Sequence, residues 1–242
     1  MIPRIARFAL LLAVLSAVAV ALSGPGYRIG WWPLPVAFTL LRWATYAALG
    51  VAALALVVAI IARMGSTRPG LGASVAAIVI GVATSIAPLL MMARAKEVPP
   101  IHDITTDTDD PPQFVAALPL RVGAPNPTVY AGAALAAEQK QAFPQVVPVQ
   151  LAMPPAQAWQ RSLAAAQKMG WVIVGSAAND GRIEATDTTP FFGFSDDVVI
   201  RVRPIPSGSR IDIRSLSRIG RSDMGVNARR IERYLDRLRN ES

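Results

Sequence analysis

The sequence predicts an α+β soluble domain, an antiparallel sheet with two helices on one face, preceded by three transmembrane α-helices. Three long apolar runs within residues 1–97 predict the membrane domain. Across residues 146–242 the hydrophobic spacing alternates between strand and helix periods in the order β-α-β-β-β-β-α, which predicts the soluble domain. The composition supports a membrane protein, because 52% of the residues are hydrophobic and only 17% are charged.

The apolar runs cover Ile5–Leu22, Trp43–Ala62 and Leu71–Ala93, and none carries a charge in its middle. Each is close to the ~20 residues that a helix needs to cross a bilayer. Small residues are frequent in the second and third runs and allow neighbouring helices to approach closely. Aromatic residues typical of a membrane interface cluster between the first and second runs, at Tyr27, Trp31, Trp32 and Trp43.

The first run has a second interpretation as a cleaved signal peptide. Arg4 and Arg7 form a basic leader before it, and Ala19-Val20-Ala21 resembles a signal-peptidase site. Basic residues divide four against four between the two sides of the membrane, but the first helix usually dominates orientation. Both interpretations therefore predict a multi-pass membrane protein with an extracytoplasmic C-terminal domain.

Residues 98–145 are rich in proline, which lacks the N–H that helices and sheets require, and they are predicted as a linker. A helix over residues 131–142 and a disordered alanine-rich stretch are both compatible with the pattern there. After residue 146 the predicted elements follow closely: a strand over 146–151, a helix over 155–169, strands over 171–177 and 182–188, and a last helix over 225–240.

Val198–Arg203 and Arg210–Ser217 are predicted to form a β-hairpin. If Arg203 pairs with Arg210, then Arg201 lies opposite Asp212 as a favourable cross-strand pair. Arginine dominates the charge of this half of the domain. Residues 200–242 hold eleven Arg and five acids, whereas residues 98–199 hold five basic and ten acidic residues.

The charge and the rare residue types exclude several function classes. The chain has no cysteine, which excludes disulfides and cysteine nucleophiles, and a single histidine, which excludes a multi-histidine metal centre. Of the net charge of +8, residues 1–97 supply +7 (eight basic residues, one acid), so the basic balance does not indicate nucleic-acid binding. The bilayer is the first predicted partner, and a membrane or envelope protein is the second.

Several segments resemble the bacterial family called domain of unknown function 1499. They are Arg182–Thr189, Phe194–Arg203 and Ser209–Asn227, and Arg214–Asn227 is the most specific part. Ile101–Asp107 and Pro111–Phe114 resemble the opening motif of its membrane-attached branch, although the cysteine of shorter relatives is missing. The resemblance covers roughly residues 98–240. It implies export or membrane attachment in a bacterium and no established activity. Together with the predicted topology, it leads us to expect a multi-pass protein of the bacterial inner membrane with a periplasmic C-terminal domain.

Arg214–Asn227 also contains the strongest candidate site, because it runs from a strand end through a glycine loop into a helix N-terminus. Helix N-termini bind anions, and arginine binds phosphate or carboxylate in a bidentate manner. The predicted anion-binding or lipid-headgroup site comprises Arg214, Arg218, Arg221, Ser222 and Asn227. In the alternative interpretation Ser222 or Asp223 caps the helix, and the arginines pair with Asp187, Asp196, Asp197 and Asp212.

His102, Asp103 and Asp107 are weak metal candidates, since their spacing matches no calcium loop, and no metal or other cofactor is predicted. No nucleotide-binding loop, nucleophile elbow or zinc-hydrolase motif occurs, and no catalytic residues are predicted. A binding or envelope-associated module is therefore the preferred function. An envelope hydrolase and a structural assembly partner of another membrane protein are the alternatives.

Overall fold

The computed structural model describes residues 1–65 and 68–240 and divides the chain into two compact units. The first comprises Met1–Arg94 with Phe191–Gly193, and the second comprises Ala95–Pro190 with the residues from Phe194 onward. The last two residues of the predicted domain, Glu241 and Ser242, lie outside the described residues.

The three predicted membrane helices are α1 (Ile2–Arg28), α2 (Leu34–Met64) and α3 (Leu71–Glu97), and the first unit holds all of them except the last three residues of α3. All three are long and apolar enough to cross a membrane. Their large apolar side chains point mostly outward, whereas alanine, serine and glycine line the contacts between them. At Gly81 an added Cβ would lie 2.6 Å from the carbonyl oxygen of Ala48, so the small residues predicted to permit close packing do so here.

The second unit is an antiparallel sheet of six strands in the order β1-β6-β5-β4-β3, with β2 also paired to β6. The strands are β1 (Asp103–Thr105), β2 (Val149–Leu151), β3 (Val172–Ala177), β4 (Arg182–Thr188), β5 (Ser195–Ile205) and β6 (Gly208–Ser217). The helices of this unit are α4 (Ala133–Ala142), α5 (Pro155–Lys168) and α6 (Val226–Asn240). From residue 146 onward the order is β-α-β-β-β-β-α, as predicted.

Helices α5 and α6 pack on one face of the sheet, here called the helical face. Alternate strand residues such as Ile200 and Ile213 point into this core, where Trp171 stacks on Tyr234 with ring centroids 5.3 Å apart. The cross-strand pairs Arg203–Arg210 and Arg201–Asp212 form as the sequence predicts. The side chains of the arginines and aspartates of β5 and β6 mostly project from the opposite, reverse face.

The segment predicted as a proline-rich linker, residues 98–145, contributes to the fold of this unit. It supplies β1, a short 3-10 turn at Leu118–Arg121 and α4, and it buries Ile101, Ile104 and Phe114. The helix over residues 131–142 is therefore the correct alternative, beginning at Ala133. Local proline content predicted an irregular chain, but contacts with distant strands hold that chain against the sheet.

The two ends of the sheet differ and are named here. At the tether end, the chain arriving from α3 enters β1, where Asp103 pairs with Leu216 and Ser217 N–H donates to the His102 carbonyl oxygen. At the hairpin end, β5 turns into β6 between Ile205 and Gly208.

Candidate functional site

Arg214, the first residue of the predicted anion site, is completely buried on the reverse face. Its Nε and one terminal nitrogen donate to the two carboxylate oxygens of Asp103 at 2.8 and 2.7 Å. The guanidinium also lies 5.2 Å from the ring centroid of Phe114 and 5.6 Å from that of Tyr130. Arg214 therefore has an internal partner and a structural position, and it is closed to solvent.

Arg218 is engaged by the carboxylate of Asp197, which it meets at 2.9 and 2.8 Å. Arg121 donates to the same carboxylate at 2.7 Å, as does the hydroxyl of Thr186 at 2.7 Å. Burial raises the pKa of Asp197, but these donors outweigh it and hold that pKa below its ordinary value. The carboxylate stays ionised and fixes the chain around both arginines.

The N-terminus of α6 is occupied by Asp223 rather than open. Its carboxylate accepts the N–H groups of Gly225 and Asn227 at 2.8 and 2.7 Å, and burial raises its pKa. Ser222 Oγ accepts only the N–H of Met224, and Arg221 is exposed. This is the capping arrangement of the alternative interpretation, in which the helix donors bind a side chain of the same protein.

Asn227 lies beneath this turn as the centre of a buried polar network. Its side-chain oxygen accepts the hydroxyl of Ser215 and a guanidinium N–H of Arg230, while its amide donates to Ser217 Oγ and the His102 carbonyl oxygen. Arg230 continues the network to Asp196 and Asp187 at 2.6 and 2.8 Å. Because these groups satisfy one another, Asn227 joins α6 to the tether end of the sheet.

The weak metal candidates do not share a site. Asp103 binds Arg214, His102 contacts the carbonyl oxygen of Arg221 at 3.1 Å, and Asp107 binds arginines at the other end of the sheet. Within residues 1–65 and 68–240 there is no group of three or more side chains arranged to hold a metal ion.

A different group of arginines converges at the hairpin end of the reverse face. The arginine cluster comprises Arg201, Arg203 and Arg210, with the carboxylates of Asp107, Asp110 and Asp212 between them. All three guanidinium groups reach one oxygen of Asp107, at 3.1, 3.0 and 2.9 Å. Burial raises the pKa of Asp107, but the Asp110 N–H and the three arginines together lower it below its ordinary value.

A protein-family model that matches this domain identifies the family of the chain. The model described as a protein of unknown function, DUF1499, matches residues 103–238, more than half of the chain. The chain belongs to this family. The matched DUF1499 region runs from β1 into α6, so it includes most of the segment predicted as a linker. Neither a curated protein nor a solved structure matches the chain.

Within the DUF1499 region the arginine cluster is open to solvent, unlike the buried ion pair of Arg214 with Asp103. Arg203 and Arg210 side chains are 36% and 32% exposed, and Asp110 is 66% exposed. Asp212, in contrast, is fully buried beneath the arginines. The cluster therefore has a fixed inner carboxylate and a loosely held outer one.

Part of this cluster could be predicted from the sequence. Alternation along the hairpin places Arg201, Arg203 and Asp212 on one face. It could not place Asp107 and Asp110, because they reach the cluster only through the pairing of β1 with β6, across about a hundred residues of chain.

Proposed function

We propose that this DUF1499 protein is a membrane-anchored binding module whose arginine cluster recognises a phosphate or carboxylate group of an envelope component or partner protein. The convergence of three guanidinium groups on one carboxylate oxygen supports this proposal. Such a set of forked donors matches the geometry of an oxyanion, and it is held on two paired strands.

Asp110 gives an external anion a way into the cluster. It contacts Arg201 at 3.0 Å and Arg203 at 2.8 Å while remaining largely in solvent. Exposed ion pairs of this kind contribute only ~1 kcal/mol or less. A ligand anion with more acceptor oxygens can therefore displace Asp110 without unpairing the buried Asp212.

The proposal also assigns the protein to the bacterial inner membrane, with the DUF1499 region in the periplasm. Three candidate spans and the basic residues before the first one support that assignment. The predicted anion site around Arg218 and Arg221 stays a prediction, and Arg221 is its exposed arginine.

Calorimetric titration of the full chain in detergent with inorganic pyrophosphate, and separately with citrate, tests the proposal at low ionic strength. Arg203→Gln/Arg210→Gln should abolish measurable binding of at least one probe. The matched control, Arg229→Gln/Arg233→Gln, removes the same charge from exposed positions of α6 and should bind normally. No binding by the unaltered protein, or equal loss in both variants, would overturn the proposal. Loss in Arg221→Gln alone would assign binding to the loop before α6 instead.

Removal of the internal competitor gives a test in the opposite direction. Asp110→Ala frees donors of Arg201 and Arg203, so pyrophosphate or citrate affinity should rise by up to about fivefold, equivalent to ~1 kcal/mol. Asp236→Ala, which frees the exposed Arg239, is the control and should leave the affinity unchanged. Unchanged affinity in Asp110→Ala would show that the cluster is purely structural.

A further inference from the structure

The segment 115–122, here called the apolar loop, exposes several large apolar side chains on the second unit. Leu118, Leu120 and Val122 are 44%, 47% and 88% exposed, and Val115 is exposed as well. Four such side chains fall within eight residues, so this exposed apolar area is concentrated in one short segment.

The sequence around this loop carries almost no charge. Residues 111–137 contain no Asp, Glu or Lys, and their one arginine, Arg121, is buried against Asp197. Arg121 and Glu184, the charged side chains that bind this loop or its neighbours in the sheet, are both buried, so the apolar side chains form its outer surface. An uncharged apolar surface costs little to transfer into a hydrocarbon boundary, whereas exposed charge would oppose the transfer.

Contacts within the domain place the end of this loop at the tether end of the sheet. Arg121 donates to the carbonyl oxygens of Leu216 and Ser217, and the Asn126 side chain donates to those of Ser217 and Gly220. Ser217 is also the residue that pairs with His102, five residues after the last residue of α3. The loop thus emerges beside the point at which the chain arrives from its third candidate span.

We infer that the apolar loop inserts into the interfacial region of the bilayer that holds the spans. A tether of five residues extends at most about 18 Å, which keeps the tether end near the membrane surface. Burial of Leu118, Leu120 and Val122 in the interface removes apolar area from water. This docking surface is separate from the arginine cluster and goes beyond the proposed function.

The absence of cysteine from the chain allows clean site-directed spin labelling. Leu120→Cys and Val122→Cys are each labelled with a nitroxide in the full chain, reconstituted in phosphatidylcholine vesicles. Ser207→Cys, in the exposed turn at the hairpin end, is the control. Power-saturation measurements compare the accessibility of each label to oxygen, which partitions into lipid, and to a water-soluble nickel chelate.

The ratio of oxygen accessibility to nickel-chelate accessibility should be several-fold higher for both loop labels than for the Ser207 label. The result should persist when half of the lipid is phosphatidylglycerol and at high salt, because insertion here is apolar.

Loop labels as water-accessible as Ser207 would overturn the inference. Dipolar broadening between labels on separate chains would assign the surface to a second copy instead. A requirement for phosphatidylglycerol would assign it to headgroup recognition. Because the arginine cluster is unaltered in these variants, pyrophosphate binding succeeds or fails independently.

Discussion

Buried guanidinium groups are the residue-scale feature that distinguishes this domain. Arg214 and Arg230 are almost completely inaccessible, and each is bound by carboxylates on its own face of the sheet. Taking a charge out of water costs several kcal/mol, so a buried arginine is tolerated only while its partner stays ionised. Removing one partner leaves an uncompensated charge in a low-dielectric site.

Asp103→Asn should therefore destabilise the domain by about 3 kcal/mol or more, because Arg214 keeps its charge and loses its counter-ion. Pulse proteolysis of the full chain in urea measures the change. Asp236→Asn removes the carboxylate of an exposed helix pair with Arg239 and should cost no more than about 0.5 kcal/mol. Equal effects of the two substitutions would contradict the role assigned to Asp103.

Acid should destabilise the same domain through Asp197, whose pKa is lowered in the folded state. A lowered pKa contributes stability above the unfolded value near pH 4, and that stability is lost as the pH falls through the folded value. The urea concentration at the midpoint of unfolding should decrease once the pH is below about 4. Asp197→Asn should be less stable at neutral pH but should show a shallower acid dependence. Parallel pH profiles for the two proteins would exclude Asp197 as a source of the acid sensitivity.

At the scale of elements, one side chain anchors the segment that carries the apolar loop. Glu184 of β4 is buried, and its carboxylate accepts the N–H groups of Val115, Ala116 and Ala117 at 3.0, 2.9 and 2.9 Å. A single carboxylate thus replaces the backbone partners that this segment lacks.

Glu184→Gln should release this segment while the sheet remains folded. A glutamine amide has one acceptor oxygen, and its NH₂ group opposes the three backbone donors. Amide hydrogen exchange at residues 115–117 should accelerate by an amount equivalent to about 2 kcal/mol, with β5 and β6 unchanged. Glu138→Gln, at an exposed position of α4, is the control and should leave exchange unchanged. Unaltered exchange at residues 115–117 in Glu184→Gln would show that other contacts hold the segment.

Elements governed by local periodicity were predictable from the sequence, and those governed by distant pairing were not. The spans, the β-α-β-β-β-β-α order and the Arg201–Asp212 pair follow from spacing and charge within short windows. Strand β1 and the positions of Asp103 and Asp107 depend on pairing with β6, which no short window reveals. For the same reason the sequence could not show that Arg214 is buried by Asp103.

At the scale of the whole molecule, the apolar loop ends at the tether end of the sheet and the arginine cluster lies at the hairpin end. This separation suits a domain tethered to a bilayer, because the low-dielectric phase favours apolar side chains and excludes charged ones. The side of the bilayer on which this domain lies depends on the charges that flank the spans. Arg4, Arg7, Arg63 and Arg68 balance Arg28, Arg42, Arg94 and Lys96.

Because this count is equal, orientation should depend on the two arginines before the first helix, which predict a cytoplasmic N-terminus. Alkaline phosphatase fused after Asn240 should be active, since it folds only in an oxidising compartment. A cytoplasmic reporter at that position should be inactive.

Arg4→Gln/Arg7→Gln leaves two basic residues against four, so part of the population should invert and cytoplasmic reporter activity should appear. Arg229→Gln/Arg233→Gln, far from any span, should leave both reporters unchanged. An active cytoplasmic reporter on the unaltered chain would place the DUF1499 region inside the cell and refute the topology.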